Sequence, residues 1–247
     1  MTKLCIINVV GLTARHLAHA PVIRSLAGNP GVDILADGGE NFMPWTSPLP
    51  AVTCTSQASM LTGTAPREHG IVGNGWYHRE TQEIRFWQQA RSLIGGPTFY
   101  DDYDTAKMFW WFNQSSSARY SCTPKPHYGC DGSKVFDVID HTECKLTERH
   151  GPFPFFTFWG PGAGLSCSQW IADATATVIR EKRPEITLAY LPHLDYDFQR
   201  LPYQDPARVA EVDACAGRIR LAAEEVGAQV VVVSEYGLVP VERPIPV

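Results

Sequence analysis

The chain has 247 residues, of which 44% are hydrophobic and 19% charged, with a formal net charge of −5. This length can bury a substantial core, and the composition is that of an ordinary globular domain, which excludes a disordered or disulfide-scaffold class. The negative balance gives no electrostatic case for a nucleic-acid polymer or an anionic membrane as partner, although a local positive site can still take a small phosphorylated substrate.

Residues 4–10 form a short apolar run rich in Ile and Val, closed by Gly11, and read as a first buried strand rather than a signal peptide. Residues 21–26 suit a helix with Pro21 in its first turn, and residues 32–36 a second short strand ending in Asp37-Gly38-Gly39. A Pro-rich approach at 45–50 leads into residues 53–63, a helix beginning at a hydroxyl cap and ending at Gly63. Residues 64–100 are loop-rich, with a helix around 86–93, and residues 107–112 form an aromatic strand. Its Phe109-Trp110-Trp111-Phe112 core reads as packing rather than a platform for stacking bases.

The stretch 113–165 is dense in Pro, Gly, Ser and aromatics and reads as an irregular cap or lid insertion over a site. Beyond it come a helix at 168–181, a strand at 186–191 and an amphipathic helix at 206–226, with Val209, Val212, Ile219 and Ala223 on its apolar face. The β-branched run 229–233 resembles a strand buried on both faces of a parallel sheet. This alternation predicts a single α/β domain, doubly wound around a mostly parallel sheet. Only a short tail ending at Val247 follows the last strand, where such a sheet expects another helix, so the sequence reads as C-terminally truncated or naturally shortened. The seven cysteines are scattered, odd in number and without a CxxC pair, which predicts free thiols and a cytoplasmic protein.

Ligands of open parallel sheets bind beyond the carboxyl ends of the strands, which singles out Val10-Gly11, Asp37-Gly38, residues 193–197 and Ser234-Glu235-Tyr236. Thr53, at a helix N-terminus, lies where free amides and the helix dipole favour a phosphoryl group and an alkoxide, and a nearby metal would complete its activation. The plain alternative is that Thr53 only caps its helix. His193, Asp195 and Asp197 alternate, so in extended chain they share one face, a plausible ligand set for zinc or manganese. The alternative there is a polar loop after Pro192 with capping aspartates. Gly160-Pro-Gly-Ala-Gly164 lacks the Lys-Ser/Thr ending of a phosphate loop and reads as a tight turn, and His69 and His78 read as structural.

The stretch Pro50-Ala-Val-Thr53, Thr62-Gly63 and His69-Gly70-Ile71-Val72-Gly73-Asn74 resembles the nucleotide pyrophosphatase/phosphodiesterase branch of the alkaline phosphatase superfamily, near phosphonoacetate hydrolase. Weaker similarity runs through Phe109-Trp110-Trp111, Pro126-His127-Tyr128 and residues 190–200. The resemblance implies an alkaline-phosphatase-type sheet and a metal-dependent phosphoester hydrolase acting on a small phosphorylated substrate. Thr53 would be the nucleophile and a metal ligand, Asn74 would donate to the phosphoryl oxygen, and the divalent metal would be zinc, with manganese the alternative. Of the metal positions, Asp195 matches and Glu235 is a conservative replacement. Val10, Gln199 and Tyr236 stand where the family has Asp, His and His, and a final His position falls past Val247. Three outcomes follow: a remodelled site recruiting His193, Asp197 or Asp37; ligands restored in a longer parent; or a degraded member that binds a phosphorylated ligand or partner without turnover. Cleavage of a carbon–phosphorus bond is a further alternative.

Overall fold

The first strand, β1 (Lys3–Val9), buries Cys5, Ile7 and Val9, and carries one fully buried polar residue, Asn8, near its carboxyl end. The computed structural model describes residues 2–28, 42–128, 131, 133–202 and 205–240, so the expected strand at 32–36 and Asp37 lie outside the described residues. A hairpin of β2 (Gly75–His78) and β3 (Glu83–Phe86) stands apart from the main sheet. The main sheet is completed by β4 (Thr105–Met108), β5 (Tyr120–Tyr128), β6 (Lys134–Asp140), β7 (Ile186–Leu191) and β8 (Ala228–Val233). Among the described residues it has six strands in the order β6-β5-β4-β7-β1-β8, all parallel except the β5–β6 pair. The mostly parallel α/β architecture is therefore the one the sequence predicts.

β7 lies between β1 and β4, and all its residues are buried, as a continuous apolar run in a covered parallel sheet requires. The register brings Asn8 level with Tyr190 on β7 and Val233 on β8, so three strands end at one edge. Just past that edge, Gly11 forms a bridge with Gly237. Gly11 has φ +86, and a Cβ there would lie 2.9 Å from Leu238 Cδ1 and 3.3 Å from the Asp195 amide nitrogen. Only glycine lets the loops after β1, β7 and β8 meet this closely.

Four helices frame this edge: α1 (Thr53–Thr62), α2 (Leu165–Lys182), α3 (His193–Phe198) and α4 (Pro206–Glu225). α1 ends at Gly63, left-handed with φ +68. α4 starts with Asp205 accepting from the Ala207 amide at 3.0 Å and with Pro206 at its first position. Its buried stripe, Val209, Val212, Ala216, Ile219 and Ala223, follows the helical period. Asp213 on the same face accepts from the Val22 and Ile23 amides at 3.0 and 2.9 Å, which fastens the helical turn Pro21–Arg24 to α4. The six described cysteines (5, 54, 122, 144, 167 and 215) are all buried and unpaired.

Several expected elements change. Residues 86–93 are not a helix: β3 runs to Phe86 and a 3-10 turn covers Arg91–Leu93. Phe86 lies across Gly75, where a Cβ would come within 2.3 Å of the ring, so the hairpin pairing wins over helix formation. The aromatic strand stops at Met108 because Phe109 turns to φ +65. That turn sends its ring into a cluster with Phe153, at 4.8 Å, and Trp170, at 5.8 Å. Trp110 donates its indole N–H to the Ala189 carbonyl at 2.8 Å, so this aromatic run is core packing, as expected. The stretch 113–165 contains β5 and β6, two strands of the main sheet, and its irregular remainder carries the aromatic cluster. β8 is half-exposed in alternation instead of buried on both faces, because it is the edge strand among the described residues.

Candidate active site at the carboxyl edge of the sheet

Thr53 is the first helical residue of α1, and the N-cap is Val52 in extended conformation. The hydroxyl therefore does not cap the helix. It is turned into the protein, with the residue 4% exposed, and its Oγ1 lies 3.2 Å from the Tyr236 phenol oxygen. Tyr236 in turn donates to Asp195 Oδ1 at 3.1 Å. With the phenol proton committed to Asp195, Thr53 is the donor to the phenol. The other carboxylate oxygen of Asp195 accepts from the Gln199 amide at 3.2 Å. Thr53, Tyr236, Asp195 and Gln199 thus form one hydrogen-bonded chain drawn from α1, the loop after β8 and α3.

Behind this chain lies Glu235, fully buried. Its Oε1 accepts from Asn8 at 2.7 Å and from Gln57 at 2.5 Å, and its Oε2 is buried without a hydrogen bond. Gln57 is four residues after Thr53, on the same face of α1, and its carbonyl oxygen accepts from the Trp111 amide at 2.8 Å. Burial, against the opposing effect of the Gln57 and Asn8 amides, raises the Glu235 carboxyl to about 8. Burial also raises Asp195, with Gln199 and Tyr236 acting against it, and holds the Tyr236 phenol in its neutral form.

Asn74 approaches from the loop before β2. Its side-chain oxygen accepts from the Cys54 amide at 2.9 Å, which leaves its amide nitrogen as the atom that can donate. The Asn74 carbonyl accepts from the Trp87 amide at 2.8 Å, so the hairpin and the start of α1 are tied through this one residue.

The structure separates the three residues expected on one face of an extended chain. Residues 193–198 are helical, so positions two apart point to opposite sides and positions four apart share one. Asp195 faces Tyr236, while His193 and Asp197 face α4, where His193 Nε2 lies 2.9 Å from Glu211 and 3.5 Å from Asp197. Among the described residues, His193, Asp197 and Glu211 are the group whose ligand atoms converge closely enough for a metal ion. Arg200 is 3.0 Å from Asp197 and Arg208 is 3.0 Å from Glu211, so cations of the chain already balance those carboxylates.

The residues beside Thr53 do not fit the zinc centre that the resemblance implies. Val10 offers no donor atom and is fully buried, and Gln199 and Tyr236 are turned to Asp195 as hydrogen-bond donors. The remaining candidates are structural. His69 lies 2.9 Å from the Ser59 hydroxyl and accepts from the Ile71 amide. The 160–164 turn is closed by Ala163 N–H to the Gly160 carbonyl, with Arg200 donating to the carbonyls of Pro161 and Ala163.

Three residues of the site escape the sequence reading: Asn8, Gln57 and Tyr236 in its role as the hub. Asn8 is visible as the single polar residue inside an apolar strand, and Gln57 by its helical spacing from Thr53. The Tyr236 contacts are tertiary and have no local signal.

The sequence from residue 4 to 247 matches a family model described as type I phosphodiesterase / nucleotide pyrophosphatase. No curated protein shows significant sequence similarity. Among solved structures, the chain is similar to phosphonoacetate hydrolase from Sinorhizobium meliloti 1021 in complex with phosphonoacetate, with a TM-score of 0.61 and 16% identity over 96% of this chain and 56% of that one. It is also similar to murine ectonucleotide pyrophosphatase / phosphodiesterase 5, with a TM-score of 0.59 and 11% identity over 96% of this chain and 57% of that one. An inactive variant of the murine protein in complex with AMP superposes with a TM-score of 0.56 at 12% identity, over 96% of this chain and 57% of that one. The chain thus spans a little over half the length of these proteins. Among the described residues no helix is long and apolar enough to cross a membrane.

Proposed function

Because the chain belongs to the type I phosphodiesterase / nucleotide pyrophosphatase family, we propose that it is a hydrolase of phosphoester or phosphonate bonds in small phosphorylated molecules, with Thr53 as nucleophile. One observation carries the reading: the Thr53 hydroxyl, at the N-terminus of a ten-residue helix, is released from capping and donates into the Tyr236–Asp195 chain. The helix dipole and the first-turn amides other than Cys54, whose N–H Asn74 takes, favour an anionic phosphoryl group at this point. Attack of the Thr53 oxygen on phosphorus forms a phosphothreonine and breaks the bond to the leaving group, which departs with the hydroxyl proton; water then cleaves the phosphothreonine, restoring the Thr53 hydroxyl and releasing phosphate or a monoester. In this reading the Asn74 amide nitrogen donates to a phosphoryl oxygen, which is supported by its own side-chain oxygen being occupied by the Cys54 amide. The likeness to phosphonoacetate hydrolase makes a carbon–phosphorus bond a candidate beside the phosphodiester.

A second reading is a phosphate-binding member without turnover. It is favoured by the hydrogen bonds that Gln199 and Tyr236 make to Asp195 where the resemblance expects metal ligands. The deciding test is release of p-nitrophenol from bis-p-nitrophenyl phosphate, and of phosphate from phosphonoacetate, by wild type and Thr53→Ala. Each is assayed with zinc, with manganese and with chelator. Turnover that Thr53→Ala abolishes establishes the nucleophile. Thermal stabilisation by phosphate or AMP with equal background in both proteins establishes the binder instead.

A further inference from the structure

We propose that the centre beside Thr53 is metal-free, with neutral side-chain donors of this chain holding the two carboxylates that cations would otherwise hold. The inference takes only the location of the centre from the hydrolase reading, because its test reads metal binding and not turnover.

The argument is a donor count. Zinc takes about four ligands, nitrogen, sulfur or carboxylate oxygen, at roughly 2 Å. At Asp195 both oxygens are already engaged: Oδ1 by the Tyr236 phenol at 3.1 Å and Oδ2 by the Gln199 amide at 3.2 Å. Tyr236 also reaches Thr53 Oγ1 at 3.2 Å, so a phenol joins the two atoms that a shared ion would join. Phenol and amide N–H donate to a carboxylate and coordinate zinc poorly. At Glu235 the Oε1 atom is engaged twice, by Asn8 at 2.7 Å and Gln57 at 2.5 Å. Its Oε2 is unpaired and could serve a ligand, as could the buried Asn8 Oδ1, but these two oxygens fall short of the four donors zinc needs. Val10 supplies none, and no imidazole or thiolate joins Asp195 or Glu235 among the described residues in a group of converging ligand atoms. At Gln199, Tyr236 and Glu235 the departure from the metalloenzyme pattern has a counterpart in a specific hydrogen bond, as a site rebuilt around neutral donors requires, while Val10 removes a ligand without replacing it.

The test uses the full chain, stripped with chelator, dialysed against zinc and analysed for bound metal, with titration calorimetry for affinity. Wild type, Asp195→Asn, Tyr236→Phe and His193→Ala are compared, the last removing the separate His193–Asp197–Glu211 cluster. The expected result is that wild type holds no zinc that depends on Asp195 or Tyr236; zinc lost only in His193→Ala, or in none of the variants, agrees with this. A stoichiometric zinc with submicromolar affinity, lost in Asp195→Asn, overturns it. A restored variant, Val10→Asp with Gln199→His, Glu235→Asp and Tyr236→His, is expected to bind zinc at least 100-fold more tightly than wild type. Gln199→His alone is the fallback if the fourfold variant does not fold, with a gain of about tenfold expected. A wild type that neither binds zinc nor turns over any phosphoester defeats the hydrolase reading and leaves this one standing. Zinc-dependent turnover lost in Asp195→Asn does the reverse.

Discussion

Replacing Glu235 with Gln isolates the burial of one carboxyl group. An ordinary glutamate titrates at 4.5, and here burial raises the group to about 8. In the unfolded chain the proton leaves near 4.5, while the folded protein retains it. Stability is therefore greatest below 4.5 and falls as pH rises between these two values, then levels off above about 8. The slope is about 1.4 kcal/mol for each pH unit, which sums to about 5 kcal/mol across the window as an upper bound. Glu235→Gln removes this slope. It also introduces an amide where Oε2 is buried without a partner, a constant cost of about 1–3 kcal/mol. The variant is thus expected to be less stable than wild type at pH 5 and more stable at pH 8. Urea denaturation at pH 5, 6.5 and 8 measures both, and titration of groups not coupled to Glu235 cancels in the difference. A constant difference between the two proteins across the three pH values would refute the assignment of a proton to Glu235 in the fold.

Asn74→Ala removes the acceptor of the Cys54 amide and, on the proposed reading, the donor to a phosphoryl oxygen. Turnover is expected to fall roughly 100- to 1000-fold, with a stability loss of only about 1 kcal/mol, read by steady-state kinetics and thermal melting. Gly11→Ala puts a Cβ within 2.9 Å of Leu238 at a left-handed position. It is expected to cost about 1–3 kcal/mol in denaturation and to lower activity by displacing Asp195 and the 234–238 loop together. Asp213→Ala leaves the Val22 and Ile23 amides without their acceptor and should cost about 2–3 kcal/mol with unchanged KM. Hydrogen exchange should locate the loosening at residues 21–24.

The parallel sheet is legible because its strands β1 and β7 are continuous apolar runs and α4 carries a regular apolar stripe, signals that survive in local sequence. The hairpin at 75–86 is not, because its pairing depends on Phe86 covering Gly75 across the turn, which no window of helical spacing registers. Phe109 misleads for the same reason: a bulky residue at φ +65 is set by its aromatic neighbours. At the candidate site, the motif points to Thr53 and Asn74, and the rule for parallel sheets to the loops after β7 and β8. The division of labour within residues 193–197 is misread, since two-residue spacing joins side chains in a strand and parts them in a helix.

The buried thiols give the molecule an internal clock. Burial pushes Cys5, Cys167 and Cys215 up to about 12 and raises Cys54, Cys122 and Cys144 as well. The thiolate is the reactive form, so at neutral pH a maleimide meets these sulfurs only when the surrounding structure opens. Cys5 reports on β1, Cys54 on the start of α1, Cys122 on β5 and Cys215 on α4. With Cys130, which lies outside the described residues, changed to Ser, mass-resolved labelling over time would rank the opening frequency of the sheet, the helix that carries Thr53 and the outer helix in one experiment.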